Sequence, residues 1–465
     1  MNIRRPRLGM TTLLTAATFG VYLLVVVGAT ASLSNAAEAC SSWPVCTNAP
    51  DSTAAYVALG HHLMAALVGI LVVAAAIAAF RGETTRKVKA TVAIALVLYP
   101  AQIGIGALIA TATTVPGGVH LLAGVTIFGL LLVALAWHLE YVTGGADEPL
   151  TSEAVEPVEA ETPSEAPVKP LSDQTLWTQF KARSFAYFKL MKPRLMWLLS
   201  LVAAAAMALA AGSSLTVDVI VLTLGGGVLA IGASGTFNHV LERDIDKKMS
   251  RTNDRPLVTH EVPARNALVF GFVLTLLSLL VFLQLNPLAA ALGLVAIIFY
   301  SVVYTLILKP NTVQNTVIGG AAGSLPALIG WAGVTGRIDV AGLLLAALIF
   351  VWTPAHFYNL ALAYKEDYAR GGFPMMPNVR GETTTRKHIL FWLGSTLAFA
   401  SALIWVTDLG WVTAVTTAVL GAVFLLAVVN LHYEQTEQAA FRAFHASNAY
   451  LGLVLIAIVI DALAF

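Results

Sequence analysis

Thirteen apolar runs, each near the length a helix needs to cross a bilayer, constrain this chain more than any other feature. A helix rises about 1.5 Å per residue and a hydrocarbon core is about 30 Å thick, so roughly 20 apolar residues span it. Four runs come early, at 9–32, 57–80, 90–112 and 117–140. Nine come later, at 195–212, 216–238, 266–285, 288–308, 315–335, 339–362, 389–407, 411–431 and 444–464. The chain is 58% hydrophobic and 11% charged, against about 25% charged in ordinary soluble domains. A soluble core stops growing at about 250–300 residues, so 465 residues of this composition cannot bury themselves in water. The expected fold class is all-α, a polytopic membrane protein of about thirteen transmembrane helices. A soluble enzyme, a nucleic-acid binder and a disordered scaffold are excluded. The first run, preceded by Arg4, Arg5 and Arg7, reads as a span rather than a signal peptide. It is too long, and no small-residue cleavage site closes it.

The net charge of +1 hides strong sorting. With the N-terminus inside and the spans alternating, the inner segments collect 26 of the 27 Lys and Arg residues, and Arg337 alone falls outside. That is the asymmetry expected of a plasma-membrane protein with its basic loops in the cytoplasm. It places the loop of Cys40 and Cys46, and the C-terminus, outside. Residues 143–173 hold five prolines, eight acids and Lys169, the composition of a disordered, solvated linker. The expected modules are therefore a four-helix bundle over 1–142, a linker over 143–173 and a nine-helix bundle over 174–465, two units fused for proximity.

The polar residues of the second module concentrate in two inner loops. Asn238, Glu242 and Asp246 are spaced i, i+4, i+8 and share a helix face. Around them lie Arg243, Lys247, Lys248, Arg251 and Arg255. Oxygen ligands of this kind hold Mg²⁺, which keeps substrate phosphates in its shell, and the cations suit the remaining phosphate oxygens. A basic loop that only fixes topology would not need the aligned acids. The second loop contains His356, Asn359, Tyr364, Lys365, Glu366, Asp367, Tyr368 and Arg370. Two such loops on one membrane side can meet across a diphosphate site.

The first loop resembles the Asp-rich motif of the intramembrane UbiA-type prenyltransferases, and more narrowly that of the protoheme IX farnesyltransferases (heme O synthases). The match runs through Asn238, Arg243, Asp244, Ile245, Asp246, Met249, Arg251, Thr252, Arg255, Pro256 and Leu257. Lys192-Pro193-Arg194, the glycine-rich stretch Asn315 to Trp331, and Trp352 to His356 followed by Lys365, Asp367 and Pro374 to Pro377 resemble three further motifs. The resemblance covers about 185–465. Glu242 stands where the family usually has Asp, keeping the carboxylate on a stem longer by one methylene. The resemblance implies Mg²⁺ held by Asn238, Glu242, Asp246 and Asp367, with Arg243 and Lys365 completing the catalytic set. It implies that Lys192, Arg194, Arg251, Arg255, Lys309, Asn315, His356 and Tyr364 bind substrate. The implied reaction joins farnesyl diphosphate to the vinyl group of heme b and yields heme O for cytochrome oxidase. Two rival readings are a quinone or lipid acceptor, which His239 and His356 argue against because quinone-type relatives carry Asp there, and a non-catalytic heme-binding membrane protein. Gly319, Gly320 and Gly323 read as close helix packing.

In the first module, His61 and His120 lie about one turn inside the outer ends of two spans. Equal depth permits a bis-imidazole grip on one heme iron; the alternative is two interfacial histidines bonded to neighbours. Cys40 and Cys46 sit on the oxidising side with no further cysteine to pair with, so a small-loop disulfide between them is expected, the alternative being two free thiols. The C-x-S-W-P-x-C-like loop, Gly60-His61 and Val119-His120-Leu121 resemble one half of heme A synthase, over about 5–142. The family's Glu three residues before the first His is Ala58 here. The resemblance implies heme binding, and heme A synthase or cytochrome oxidase assembly proteins as partners.

Overall fold

A transmembrane backbone must satisfy its own N–H and C=O groups, which a helix does within itself. The computed structural model describes residues 9–33, 43, 53–112, 116–145, 147–156, 175–407 and 409–464. Among them, thirteen helices are long and apolar enough to cross a membrane, and there is no strand. In chain order the elements are α1 (Met10–Leu33), α2 (Thr53–Arg81), α3 (Arg86–Ala112), α4 (Gly117–Thr143), α5 (Leu176–Leu190), α6 (Pro193–Ala211), α7 (Val217–Leu241) and α8 (Arg243–Asp246). There follow α9 (Ala264–Leu283), α10 (Pro287–Ile298), a π-helical stretch Phe299–Leu308, α11 (Lys309–Asn311), α12 (Asn315–Thr335) and α13 (Val340–Ala363). The last are α14 (Lys365–Arg370), α15 (Met376–Arg380), α16 (Glu382–Thr407), α17 (Trp411–Glu434) and α18 (Glu437–Ala464).

Local chemistry sets several of these boundaries. Asn286 accepts the amide of Ala289 at 2.8 Å, and Pro287 follows it, a proline at the first helical position where its missing N–H costs nothing. Asp339 caps α13 in the same way. Gly336, at φ +67°, ends α12 in a conformation that suits glycine.

The packing units do not follow chain order. The four early spans cluster with α16, α17 and α18, and residues 147–382 form the other unit. In the first unit, polar ties join the early helices to the late ones. Thr11 Oγ1 and Tyr433 Oη are 2.5 Å apart, Lys387 donates to Glu140, and Gln435 Nε2 donates to Thr143 O at 2.7 Å. Hydrogen bonds and small-residue contacts are what bring helices together where lipid is as apolar as the side chains. The sequence-order division at 143–173 is thus a different partition from the packing one. Of that acidic stretch, residues 147–156 follow a defined path on the second unit. Leu150 N donates to Asn378 O at 3.0 Å, and Arg370 Nε donates to Glu156 O at 3.0 Å. Backbone groups given partners this way belong to a docked segment rather than a free linker. Cys40 and Cys46 lie outside the described residues.

Candidate active site

The site is built at one end of the six-span unit, where α7 breaks. The helix ends at Leu241, and Glu242 takes φ −95°, ψ 0° before the single turn of α8. The bond ladder nevertheless continues, Glu242 N to Asn238 O at 2.9 Å and Asp246 N to Glu242 O at 2.8 Å. Asn238, Glu242 and Asp246 therefore keep one face through the break, and all three are buried.

Each faces a cation. Lys192 Nζ donates to Asn238 Oδ1. Lys309 Nζ lies 2.5 Å from Glu242 Oε1. Arg255 Nη1 lies 2.8 and 2.7 Å from the two oxygens of Asp246 and 3.9 Å from Glu242 Oε2. One guanidinium nitrogen thus stands between the two carboxylates, and six expected residues meet in one cluster. Burial pushes the Asp246 carboxyl up despite Arg255. Burial also works against the charged form of Glu242, but Lys309, Lys192 and Arg255 outweigh it and hold that carboxyl below its usual range. The Lys192 ammonium is pushed down to about 7, by burial first and then by Arg255.

Lys192 is held in a left-handed conformation, φ 56°, uncommon without a glycine and a mark of a functional constraint. Pro193 follows and starts α6. The turn lies so close to α7 that a Cβ on Gly235 would stand 2.9 Å from Leu190 O. Lys192 Nζ also donates to Tyr300 Oη at 3.2 Å, and Asn238 Nδ2 donates to Thr305 Oγ1 at 3.0 Å. Tyr300 and Thr305 belong to the π-helical stretch, a geometry frequent at functional sites. In the sequence these two hydroxyls lie with Tyr304 inside an otherwise apolar run, which is their one local signal. Tyr304 in turn packs on Gly319, where a Cβ would stand 2.6 Å from its ring, which agrees with the packing role read for the glycine-rich helix.

The two polar loops do meet. Met249, Ala361, Tyr368, Phe373 and Met375 form one buried apolar cluster with Ile245 and Tyr364 packed on it. Lys309 Nζ stands 4.3 Å from the Phe373 ring centre. The Arg251 guanidinium lies over the Tyr364 and Tyr368 rings, at 4.8 and 5.1 Å, and donates to Tyr368 Oη at 3.2 Å.

Asp367 is where the expected site differs. Its Oδ1 accepts Ser250 N at 2.9 Å, Ser250 Oγ at 2.7 Å and Arg370 Nη1 at 2.5 Å, and its Oδ2 accepts Arg251 N at 3.1 Å. Burial raises its carboxyl, but these donors outweigh burial and hold it below the usual range. Four donors tie it to the first loop and to Arg370. Lys365 pairs with Glu382 at 2.5 Å, and Arg243 with Asp244 at 3.3 Å near the surface. Arg194 is exposed. Asn315 is buried and bonds to Thr312 O at 2.8 Å, bracing the turn into α12. His356 is buried and stacks on Trp352 at 4.4 Å.

Among the described residues, no three His, Cys, Asp or Glu side chains sit close enough to form a metal cluster. The donor set at the break nonetheless suits a hard cation. Two carboxylates and an amide oxygen share a face, with Arg255 now between the carboxylates, and oxygen donors are what Mg²⁺ prefers. Asn238, Glu242 and Asp246 share that face, whereas Asp367 is bonded to Ser250, Arg251 and Arg370.

In the other unit, His61 and His120 have ring centres 6.4 Å apart at an interplanar angle of 62°. Both Nδ1 atoms are buried with no hydrogen-bond partner. A Cβ on Gly28 or Gly106 would stand 3.4 Å from His61 Cε1 or 3.1 Å from His120 Cε1.

A bundle of apolar helices with paired carboxylates and convergent cations at one end is the arrangement of a membrane enzyme that handles a diphosphate. The UbiA prenyltransferase family matches residues 198–452, and the chain belongs to that family. Within it, the chain is 61% identical to the protoheme IX farnesyltransferase of Haloarcula marismortui, over 98% of each chain. It is 61% identical to protoheme IX farnesyltransferase 1 of Natronomonas pharaonis, over 98% of this chain and 99% of the relative. A solved structure of digeranylgeranylglyceryl phosphate synthase is 15% identical, with TM-score 0.52, covering 61% of this chain and 99% of that one. It shows the shared fold.

Proposed function

We propose that the chain transfers the farnesyl group of farnesyl diphosphate to the vinyl group of protoheme IX, with addition of water, giving heme O and diphosphate. The reading is carried by the cluster in which Lys192, Lys309 and Arg255 converge on Asn238, Glu242 and Asp246. Near-full-length identity to relatives named for this activity supports it. Mg²⁺, when bound by Asn238, Glu242 and Asp246, supplies positive charge to the diphosphate. The carboxylates must then release their present partners, and the freed Lys309 and Arg255 are placed to grip phosphate oxygens beside Lys192. Once in contact with the phosphates, these cations lower the barrier by stabilising the charge that develops on the leaving group. Arg251, held by Asp367 and two tyrosine rings, is a further phosphate donor. Diphosphate departure leaves an allylic cation, and the exclusion of water by the apolar unit protects it until the vinyl carbon attacks. The two motif loops and the N-terminus face the cytoplasm, and the Cys40 loop and the C-terminus face outside.

In the first unit, His61 and His120 are the residues that would hold a heme iron. Their ring centres lie 6.4 Å apart. The unpartnered nitrogens support this assignment, since an intramembrane histidine without a role is costly.

The deciding experiment is mass analysis of hemes extracted from a heme-O-deficient host expressing the chain. Heme O is the expected product. A host that accumulates only heme b, with the protein present in its membrane, removes the proposal.

A further inference from the structure

Helix α5 is the one long described helix that does not qualify as a span, and it displays an unusual face. Leu176, Trp177, Phe180, Phe185 and Phe188 are 84%, 69%, 62%, 58% and 48% exposed. At about 100° per residue they fill one arc of about 180°. The opposite side carries Ala186 and Leu190, buried against Leu257, Val262 and Ala267; Tyr187, near the Leu176 edge of the arc, is half-buried and meets the Phe270 ring edge-on at 5.0 Å. The exposed aromatics therefore point away from the protein core. They are arranged in pairs, Trp177 on Phe180 at 5.9 Å and Phe185 on Phe188 at 6.5 Å.

The charge on this helix is uniformly basic. Arg183 and Lys189 lie at the two edges of the aromatic arc and Lys181 within it, and the helix has no acidic residue. Lys189 Nζ stands 5.2 Å from the Phe185 ring centre. Aromatic rings with cations along their borders suit the layer where lipid headgroups meet acyl chains. Position agrees: Met191 and Lys192 alone separate α5 from the span that starts at Pro193. The three Cα steps from Leu190 to Pro193 reach about 11 Å at most, so the end of α5 stays near the membrane boundary.

We propose that α5 is a membrane-surface helix that seats its aromatic face in the headgroup layer and binds anionic lipid headgroups through Lys181, Arg183 and Lys189. Because α5 leads directly into Lys192, lipid binding also steadies the turn that aims this lysine at Asn238 and Tyr300.

The test uses the full chain in nanodiscs of phosphatidylcholine alone or with phosphatidylglycerol. Amide hydrogen exchange over 176–190 is read by mass spectrometry. Each basic residue at an anionic surface strengthens binding about fivefold. Exchange in the first two turns of α5 is expected to slow by tenfold or more in the anionic discs, and added salt should reverse this. The triple variant Lys181→Gln, Arg183→Gln, Lys189→Gln should lose the difference, while Phe180→Ala with Phe185→Ala should raise exchange in both lipids. Equal exchange of the native helix in the two lipids, or a difference that survives the triple variant, overturns the proposal. The exchange readout stands apart from turnover, so loss of heme O formation by itself decides nothing about α5.

Discussion

Glu242 with Asp246, and Asp367, are buried carboxylates in the same unit, yet they are neutralised in different ways. The first two face long side-chain cations, Lys309 and Arg255. Asp367 faces two backbone amides and a serine hydroxyl, with Arg370 beside them. Side-chain cations can swing to a phosphate and leave their carboxylate to a metal. Backbone amides cannot move without unfolding the loop that bears them. The comparison separates a site held ready for exchange from a fixed brace, although both began as the same type of residue in a polar loop.

The largest effect that would sharpen this contrast is at Asp246. Asp246→Asn should cut heme O formation by about a thousandfold, on the scale of losing a preorganised electrostatic group, a loss far larger than the lowered thermal stability from unpairing Arg255 explains. Wild-type turnover in that variant would remove Asp246 from the metal set. Lys309→Met comes next. It should raise the KM for farnesyl diphosphate by about a hundredfold, because a charge-assisted contact to phosphate is lost along with the partner of Glu242. An unchanged KM would mean that Lys309 is only a structural counter-ion.

Asp367→Asn attacks the brace. Losing a buried, multiply bonded carboxylate costs about 3 kcal/mol, so the melting temperature should fall clearly. The Mg²⁺ concentration for half-maximal turnover should stay as in the wild type. A large rise in that concentration at constant stability would break the comparison and return Asp367 to the metal set. Ser250→Ala removes one donor of four and should cost about 1 kcal/mol, with KM rising a few-fold at most. In the other unit, His61→Ala should lower the heme absorbance of the purified chain without altering its stability in a heme-free preparation. Full retention of the spectrum would rule out that ligand.

The spans were legible because hydropathy is local: a run of about 20 apolar residues has one way to satisfy its backbone in lipid. The i, i+4, i+8 alignment of Asn238, Glu242 and Asp246 was legible for the same reason, since helical periodicity carries it even across the break at Glu242. The brace at Asp367 was not legible, because its partners lie 116 and 117 residues away in sequence. Tyr300 and Thr305 were hidden inside a run read only as apolar, and the π-helical turn that aims them at Lys192 and Asn238 has no local signature here.

The sequence by itself determined a polytopic helical membrane protein with a diphosphate-type motif, because both follow from residue character repeated at short, fixed spacing. The tertiary structure decided which carboxylates face side-chain cations and which faces backbone amides. It also decided that the last three spans pack with the first four. Apolar helices in lipid are nearly interchangeable by hydropathy. Their choice of neighbour rests on a few distant polar ties, such as Glu140 with Lys387 and Thr143 with Gln435, that no local pattern announces.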